Sequence, residues 1–257
     1  MAAPTVATVQ VRPRSDSTHQ LVTESWATQP PLPIDEYSDI YGNPVKRLLM
    51  EAGDQVLTYD AVVAVPDSPD ADASAAPQSA VDEVPGDLLH FTLPSRYCLS
   101  DELMSTAWEL FGQAGPGGAR VQAVCDWVHD NIEFQYGASN PLTTSRDVFD
   151  TKKGVCRDFA HLAITFCRAL NIPARYVFGY LPDLYVPPPP HPMDFAAWME
   201  VWLGDRWWTF DPRNNARRVG RVLIGRGRDA LDVAMVTTFG PATFRSMKVW
   251  ADVAGAA

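Results

Sequence analysis

The sequence predicts an α+β fold in which helices pack on an antiparallel sheet, with a small β-rich module ahead of them. Three observations lead there. Short β-prone runs alternate with turn residues over residues 5–65; capped segments with helical apolar periodicity follow from Ser100; and strand patterns joined by tight turns return after Pro173.

The runs Thr5–Val11 and Gln55–Val65 are separated by Ser38-Asp39, Gly42-Asn43-Pro44 and Gly53-Asp54, and read as an antiparallel module over 1–65. It opens directly on a strand, so a strand missing before it is an option. From Pro66 to Asp87 the chain turns to Pro, Ser, Ala and Asp without an aromatic, which predicts an exposed linker or long loop over 66–87 and leaves 88–257 as the core. Ser100 caps a helix carrying Leu103, Ala107, Leu110 and Phe111, stopped at Gly112. A second helix runs over 119–131 with Val121, Val124, Val128 and Ile132 on one stripe. A polar turn over 150–153 leads to Gly154. The third helix begins at Cys156, repeats Phe159, Leu162, Ala163, Phe166 and Leu170, and stops at Asn171-Ile172-Pro173. Ala174–Leu181 is β-prone, Pro187–Pro190 is a stiff extended tract, Ala196–Leu203 and Arg206–Phe210 flank a Gly204-Asp205 hairpin turn, and Phe244–Asp252 reads as a last strand.

Composition excludes several function classes. With 46% hydrophobic and 20% charged residues, the 257-residue chain can bury a core. Its 21 basic and 31 acidic residues give a net charge of −10, which offers no general attraction to nucleic acid or anionic lipid. Met1–Val11 has neither a basic nor an apolar leader region, and no apolar run approaches a membrane span, so a soluble, cytoplasmic protein is expected. Cys98, Cys125, Cys156 and Cys167 form no CxxC pair and no His at ligand spacing joins them; reduced thiols without metal or other cofactor are expected.

Cys156 carries the chemistry. A thiol on the first turn of a helix meets the positive end of the dipole and unpaired backbone N–H groups, both of which favour the thiolate. The plainer reading of that position is a small packed residue. A nucleophilic thiol needs a base and a group to orient it. If Gly204-Asp205 is a two-residue turn, Leu203 pairs with Arg206, and counting outward sets Ala196 opposite Arg213 with Asp211 two residues away on the same face. Asp211 would hold a histidine at 196 across the diagonal. The sequence has alanine there.

The run GVCRDFAHLAITFCRALNIPARYVFGYLPD, followed by DFAAWMEVWLGDRWWTFDPRNN, resembles the transglutaminase-like family of papain-type cysteine enzymes, in its bacterial branch. The likeness covers about residues 90–240, and 5–65 resemble that branch's β-rich N-terminal region. It implies a papain-like core, Cys156 as nucleophile, and Asp211 as the residue orienting a histidine two positions before Trp198. It also implies a thioester formed on a peptide or protein carboxamide, resolved by an amine or water, without cofactor. Because the run is Ala196-Ala197-Trp198, the general base is missing and activity should be impaired. The alternative is an inactive pseudoenzyme that binds peptides or proteins.

His191 is the nearest candidate replacement, although the proline tract should carry it off the strand face. His161, five positions after Cys156, is turned about 140° from it and reads as a packing residue. Trp198, with Trp202, Trp207 and Trp208, offers a substrate wall, against the plainer role of sheet packing. Glu200 shares Trp198's face, as a second carboxylate or as an arginine's partner. The six arginines of Arg213–Arg228 read as a salt-bridged exposed loop rather than a docking patch.

Overall fold

A computed structural model describes residues 3–16, 19–187, 189 and 192–255. Five strands come first: β1 (Thr5–Val9), β2 (Gln20–Gln29), β3 (Ile34–Ser38), β4 (Pro44–Met50) and β5 (Val56–Ala64). Two 3-10 turns, Val81–Glu83 and Gly86–Thr92, precede helices α1 (Met104–Phe111) and α2 (Gly118–Asn131). Then come β6 (Glu133–Phe134), α3 (Ser145–Thr151), β7 (Lys153–Gly154) and α4 (Cys156–Ala169). The chain continues through β8 (Ala174–Tyr180), β9 (Ala196–Leu203), β10 (Arg206–Phe210), β11 (Val222–Gly227) and β12 (Val236–Thr238). No helix among the described residues is long and apolar enough to cross a membrane.

The expected α+β architecture is the one observed. Helix α4 lies at its centre, every residue from Asp158 to Ala169 being buried. Burying side chains such as Phe159, Leu162 and Phe166 stabilises the fold by about 1.5–3 kcal/mol each. The helix packs on an antiparallel sheet of order β10-β9-β8-β11. Period-two alternation along β9 points Ala197, Met199, Val201 and Leu203 into the core shared with α4, while Ala196 and Trp198 join Val177 and Leu223 in a separate cluster. The segment around the N-terminal strands is tied to this sheet. Arg14 N–H donates to the Leu223 carbonyl at 2.7 Å, Tyr180 Oη to the Val11 carbonyl at 3.0 Å, and Asn43 Nδ2 to the Arg226 carbonyl at 2.8 Å.

Several expectations are corrected. Strands β1 to β5 are antiparallel, but they split into a β12-β1-β4-β3 sheet and a β2-β5 ribbon, so a C-terminal strand lies beside β1. Residues 66–87 are irregular yet anchored: Asp70 is bonded to Arg221, Ala73 and Ala76 are buried, and the Pro77 carbonyl accepts from Gly204 N–H. Helix α1 starts after Leu103, because the 99–103 stretch closes as a turn on the Leu99 carbonyl instead of being capped by Ser100. Asp150 and Thr151 belong to α3, a short helix that Thr144 caps in a reciprocal box with Asp147. Phe244–Asp252 forms no strand, since no neighbouring strand offers it a ladder; Phe244 and Trp250 are exposed. The arginine-rich stretch is not a loop throughout: Val222, Leu223 and Ile224 make it strand β11, with Arg221 buried at its start.

Candidate active site

Three local features bring Cys156 to the edge of β9. β6 and β7 pair in parallel through Phe134 and Gly154, fixing the approach to α4. Asp158 then accepts from the Val155 N–H at 2.8 Å, closing the first turn, and Cys156 stands at its start. Strand β10 ends at Phe210, opposite Met199, so the β10-facing edge of β9 has no ladder partner from Trp198 outward. The half-buried thiol lies there, with Sγ 3.9 Å from the Phe195 carbonyl and within reach of the N–H groups of Ala197 and Arg157.

The thiol's electrostatics are mixed. Burial is the largest influence and pushes its pKa up; Arg213 pulls it down, Asp194 pushes it up, and the two N–H groups pull it down, with a net rise. The expected thiolate-favouring helix start is therefore present, but desolvation outweighs it.

Ala196 begins β9, and Asp211 follows the end of β10. The observed register, Arg206 with Leu203 through Phe210 with Met199, is the one the hairpin count requires, and one further step would set Asp211 opposite Trp198 and diagonal to Ala196. Gly179 pairs with Ala196, and a Cβ on that glycine would come within 2.6 Å of the Trp198 ring and 2.2 Å of the Val222 carbonyl, so only glycine allows the close approach. The Asp211 carboxylate is fully occupied. Oδ1 accepts from the N–H groups of Arg213 and Asn214 at 3.2 and 2.9 Å, and Oδ2 accepts from Asn214 Nδ2 at 2.8 Å and Arg221 Nη2 at 2.9 Å. Burial alone would raise its pKa, but the Arg221 charge and the Asn214 bonds hold it below the usual carboxylate range. Arg221 in turn binds both oxygens of Asp70 through Nε, at 3.0 and 2.9 Å, and lies 4.9 Å from the Trp198 ring centroid. A cavity of about 160 Å³ opens beside Asp211, between Asp70, Ala73, Gly118 and Gln122; neither Cys156 nor Ala196 lines it.

The family model described as the transglutaminase-like superfamily matches residues 105–212, a span that contains Cys156, Ala196 and Asp211. A solved structure from Cytophaga hutchinsonii, described as that of a candidate cysteine protease, superposes with a TM-score of 0.82 at 33% identity, covering 97% of this chain and 89% of that one. The chain belongs to the transglutaminase-like superfamily. Two uncharacterized mycobacterial proteins are also similar. One, from Mycobacterium leprae, is 32% identical over 126 residues, 44% of this chain and 42% of that protein. The other, from Mycobacterium tuberculosis, is 33% identical over 117 residues, 41% and 37% respectively. The match thus spans about two fifths of these curated relatives.

Elsewhere in this transglutaminase-like core, residues singled out from sequence take structural positions. Trp198, 2% exposed, is packed under Arg221. Trp202 and Trp207 meet edge to face at 5.6 Å, and Trp208 donates Nε1–H to the Leu203 carbonyl. Glu200 is bound by Arg175 Nε at 2.7 Å and by Arg226 Nε at 2.8 Å; burial would raise its pKa, but these two cations lower it. His161 is buried between Tyr97 and Tyr176 and accepts the Ala230 N–H at Nε2, which makes it a neutral packing residue; burial holds its pKa well below the usual value. His191 lies outside the described residues. Sequence reasoning missed Asp70, Asn214 and Arg221. Asp70 sits in a stretch whose composition signals only a linker, and a buried arginine looks like its exposed neighbours until its partners are known.

Proposed function

We propose that the chain is a thiol scaffold for acyl chemistry on carboxamide or peptide bonds, with Cys156 as nucleophile, Asp211 as the orienting carboxylate and turnover impaired by alanine at 196. The observation that carries the reading is the placement of Cys156 on the first turn of α4, beside the part of β9 that β10 leaves unpaired and that includes position 196. In this scheme Sγ attacks the carbonyl carbon, the C–N bond breaks, the amine leaves with the thiol's proton, and a thioester remains for an amine or water to resolve. The Cys156 backbone N–H at the helix start serves as one oxyanion donor. The proton has no carrier: Ala196 offers no nitrogen, and loss of the base from such a triad removes most of its rate while leaving its shape. Substrate is a peptide or protein carboxamide, no metal or organic cofactor takes part, and four free cysteines support a cytoplasmic setting.

A second reading is favoured by the saturated Asp211 carboxylate, which stands complete without an imidazole. In it the chain is a pseudoenzyme that binds peptides or proteins in the same cleft. Ala196→His separates the two. An imidazole there takes one Asp211 acceptor position in place of the Asn214 amide and reaches toward Sγ. The enzyme reading expects release of ammonia or incorporation of an amine on glutamine-containing peptides to rise at least about a hundredfold above the native chain, the scale of general-base catalysis. Added imidazole should restore part of that in the native protein. If the folded variant and added imidazole both leave a broad peptide panel unreacted, the binding-module reading replaces it.

A further inference from the structure

The thiol is faced by charged or titratable groups from each element around it. Arg213 comes from the turn after β10, Asp194 from the stretch before β9, Tyr136 from the loop after β6, and Tyr176 from β8; Arg157 and Asp158 are its own neighbours on α4. Most of these are engaged elsewhere. Arg157 Nη2 binds Asp158 and the Asn140 carbonyl, both at 3.0 Å, and Asp158 also closes the helix start. Asp194 Oδ1 accepts the Phe195 N–H at 2.7 Å.

Arg213 is held differently. Its main chain is clamped on both sides, the N–H on Asp211 Oδ1 and the carbonyl accepting from His129 Nδ1 at 2.8 Å. Its guanidinium lies 4.2 Å from the Phe134 ring centroid and makes no hydrogen bond or ion pair among the described residues. Phe134 pairs with Gly154, two residues before Cys156, so the ring that seats the cation belongs to the ladder that sets the thiol.

We propose that Arg213 supplies the positive charge at Cys156 that an imidazolium at 196 would otherwise provide, so that the thiol keeps a stabilised anionic form in a site without histidine. This rests on Cys156 being the nucleophile. Arg213 is a charge-positioning residue: it moves no proton, and it leaves the leaving group's need for an acid unmet. The arrangement gives a thiol that captures neutral electrophiles faster than it turns over amides.

The test is the pH dependence of Cys156 alkylation by iodoacetamide on the full chain, with the modified cysteine located by peptide mass spectrometry and folding checked by thermal melting. Thiolate displaces iodide, so the rate follows the thiolate fraction. Arg213→Gln should move the midpoint of the profile upward and slow alkylation at neutral pH about tenfold, the scale of one nearby charge, with the alkaline plateau unchanged. Arg213→Lys should keep most of the native rate, and Asp194→Asn should shift the midpoint the opposite way. In an Ala196→His background the Arg213→Gln effect should shrink, because a second cation is present. Superimposed native and Arg213→Gln profiles overturn the proposal, as does a lowered plateau with an unchanged midpoint, which signals altered access rather than charge. If Arg213→Gln does not fold, Arg213→Lys and Asp194→Asn carry the test, and a shift of Asp194→Asn toward higher pH overturns it. The nucleophile reading fails separately: it falls if native Cys156 is alkylated no faster than buried Cys98 at any pH.

Discussion

Cys156 and Asp211, the two residues that the sequence singles out for chemistry, have surroundings with little in common. The carboxylate is buried and accepts four hydrogen bonds, one from an arginine that itself grips Asp70 in the 66–87 stretch. The thiol is half-buried and has one long contact to a carbonyl, with two N–H groups and the Phe134-seated guanidinium of Arg213 as its nearby partners. The difference teaches which half of the site the fold depends on. Asp211, Arg221 and Asp70 tie together the end of β10, the start of β11 and the irregular stretch, so they would be retained whether or not a reaction occurs. The sulfur packs at the margin of the core with weak polar contacts, and its value lies in what faces it.

The largest expected effect separates these halves by stability. Asp211→Ala leaves Arg221 buried on Trp198 with Asp70 as its remaining acid, and its Nη1 has no partner even in the native state. Removing one member of a buried ion pair costs about 3–5 kcal/mol. Urea unfolding at neutral pH should show that loss. A cost near the ~0.5 kcal/mol of an ordinary surface change would mean that the network is dispensable and the contrast false.

A smaller effect appears with pH. The Asp211 carboxyl is held below its ordinary value, so the folded state binds its proton less readily than the unfolded chain. Its contribution is complete above the unfolded value near pH 4 and is lost as pH falls from there through the depressed folded value. Glu200, lowered by Arg175 and Arg226 against its burial, acts in the same sense and window. Asp211→Asn should therefore be less stable at pH 7 yet lose less on acidification below pH 4, in urea midpoints taken across that range. Parallel pH curves for native and variant protein would place the acid sensitivity elsewhere.

The fold was largely legible because its periodicities are strong. The apolar repeat from Phe159 to Leu170 specified α4, and Gly204-Asp205 fixed the β9–β10 register from Leu203 with Arg206 to Met199 with Phe210. What stayed hidden depended on distant pairing. The three-residue strand β12 is a strand because β1 offers it an edge, whereas Phe244–Asp252, with a better strand pattern, has no edge to join. Arg221 and Arg226 looked alike in sequence, but one is bound by Asp70 and Asp211 and the other by Glu200. The helix start at Cys156 was visible; that burial would outweigh it was not, because desolvation is set by the strands that close around the sulfur.

The smallest expected effect completes the contrast at the thiol. Cys156→Ala removes a half-buried sulfur with a weak S–H contact to the Phe195 carbonyl at 3.9 Å, and leaves the Asp158 cap that closes the helix start intact. Its stability should stay within about 1 kcal/mol of the native protein, well under the cost expected for Asp211→Ala. The same variant should remove nearly all fast thiol labelling, since Cys98 and Cys167 are buried with pKa values pushed up to about 12 and Cys125 is buried with its own pushed well above the ordinary value. A Cys156→Ala protein as destabilised as Asp211→Ala would show the sulfur to be a packing element, and fast labelling that survived it would put the reactive thiol elsewhere.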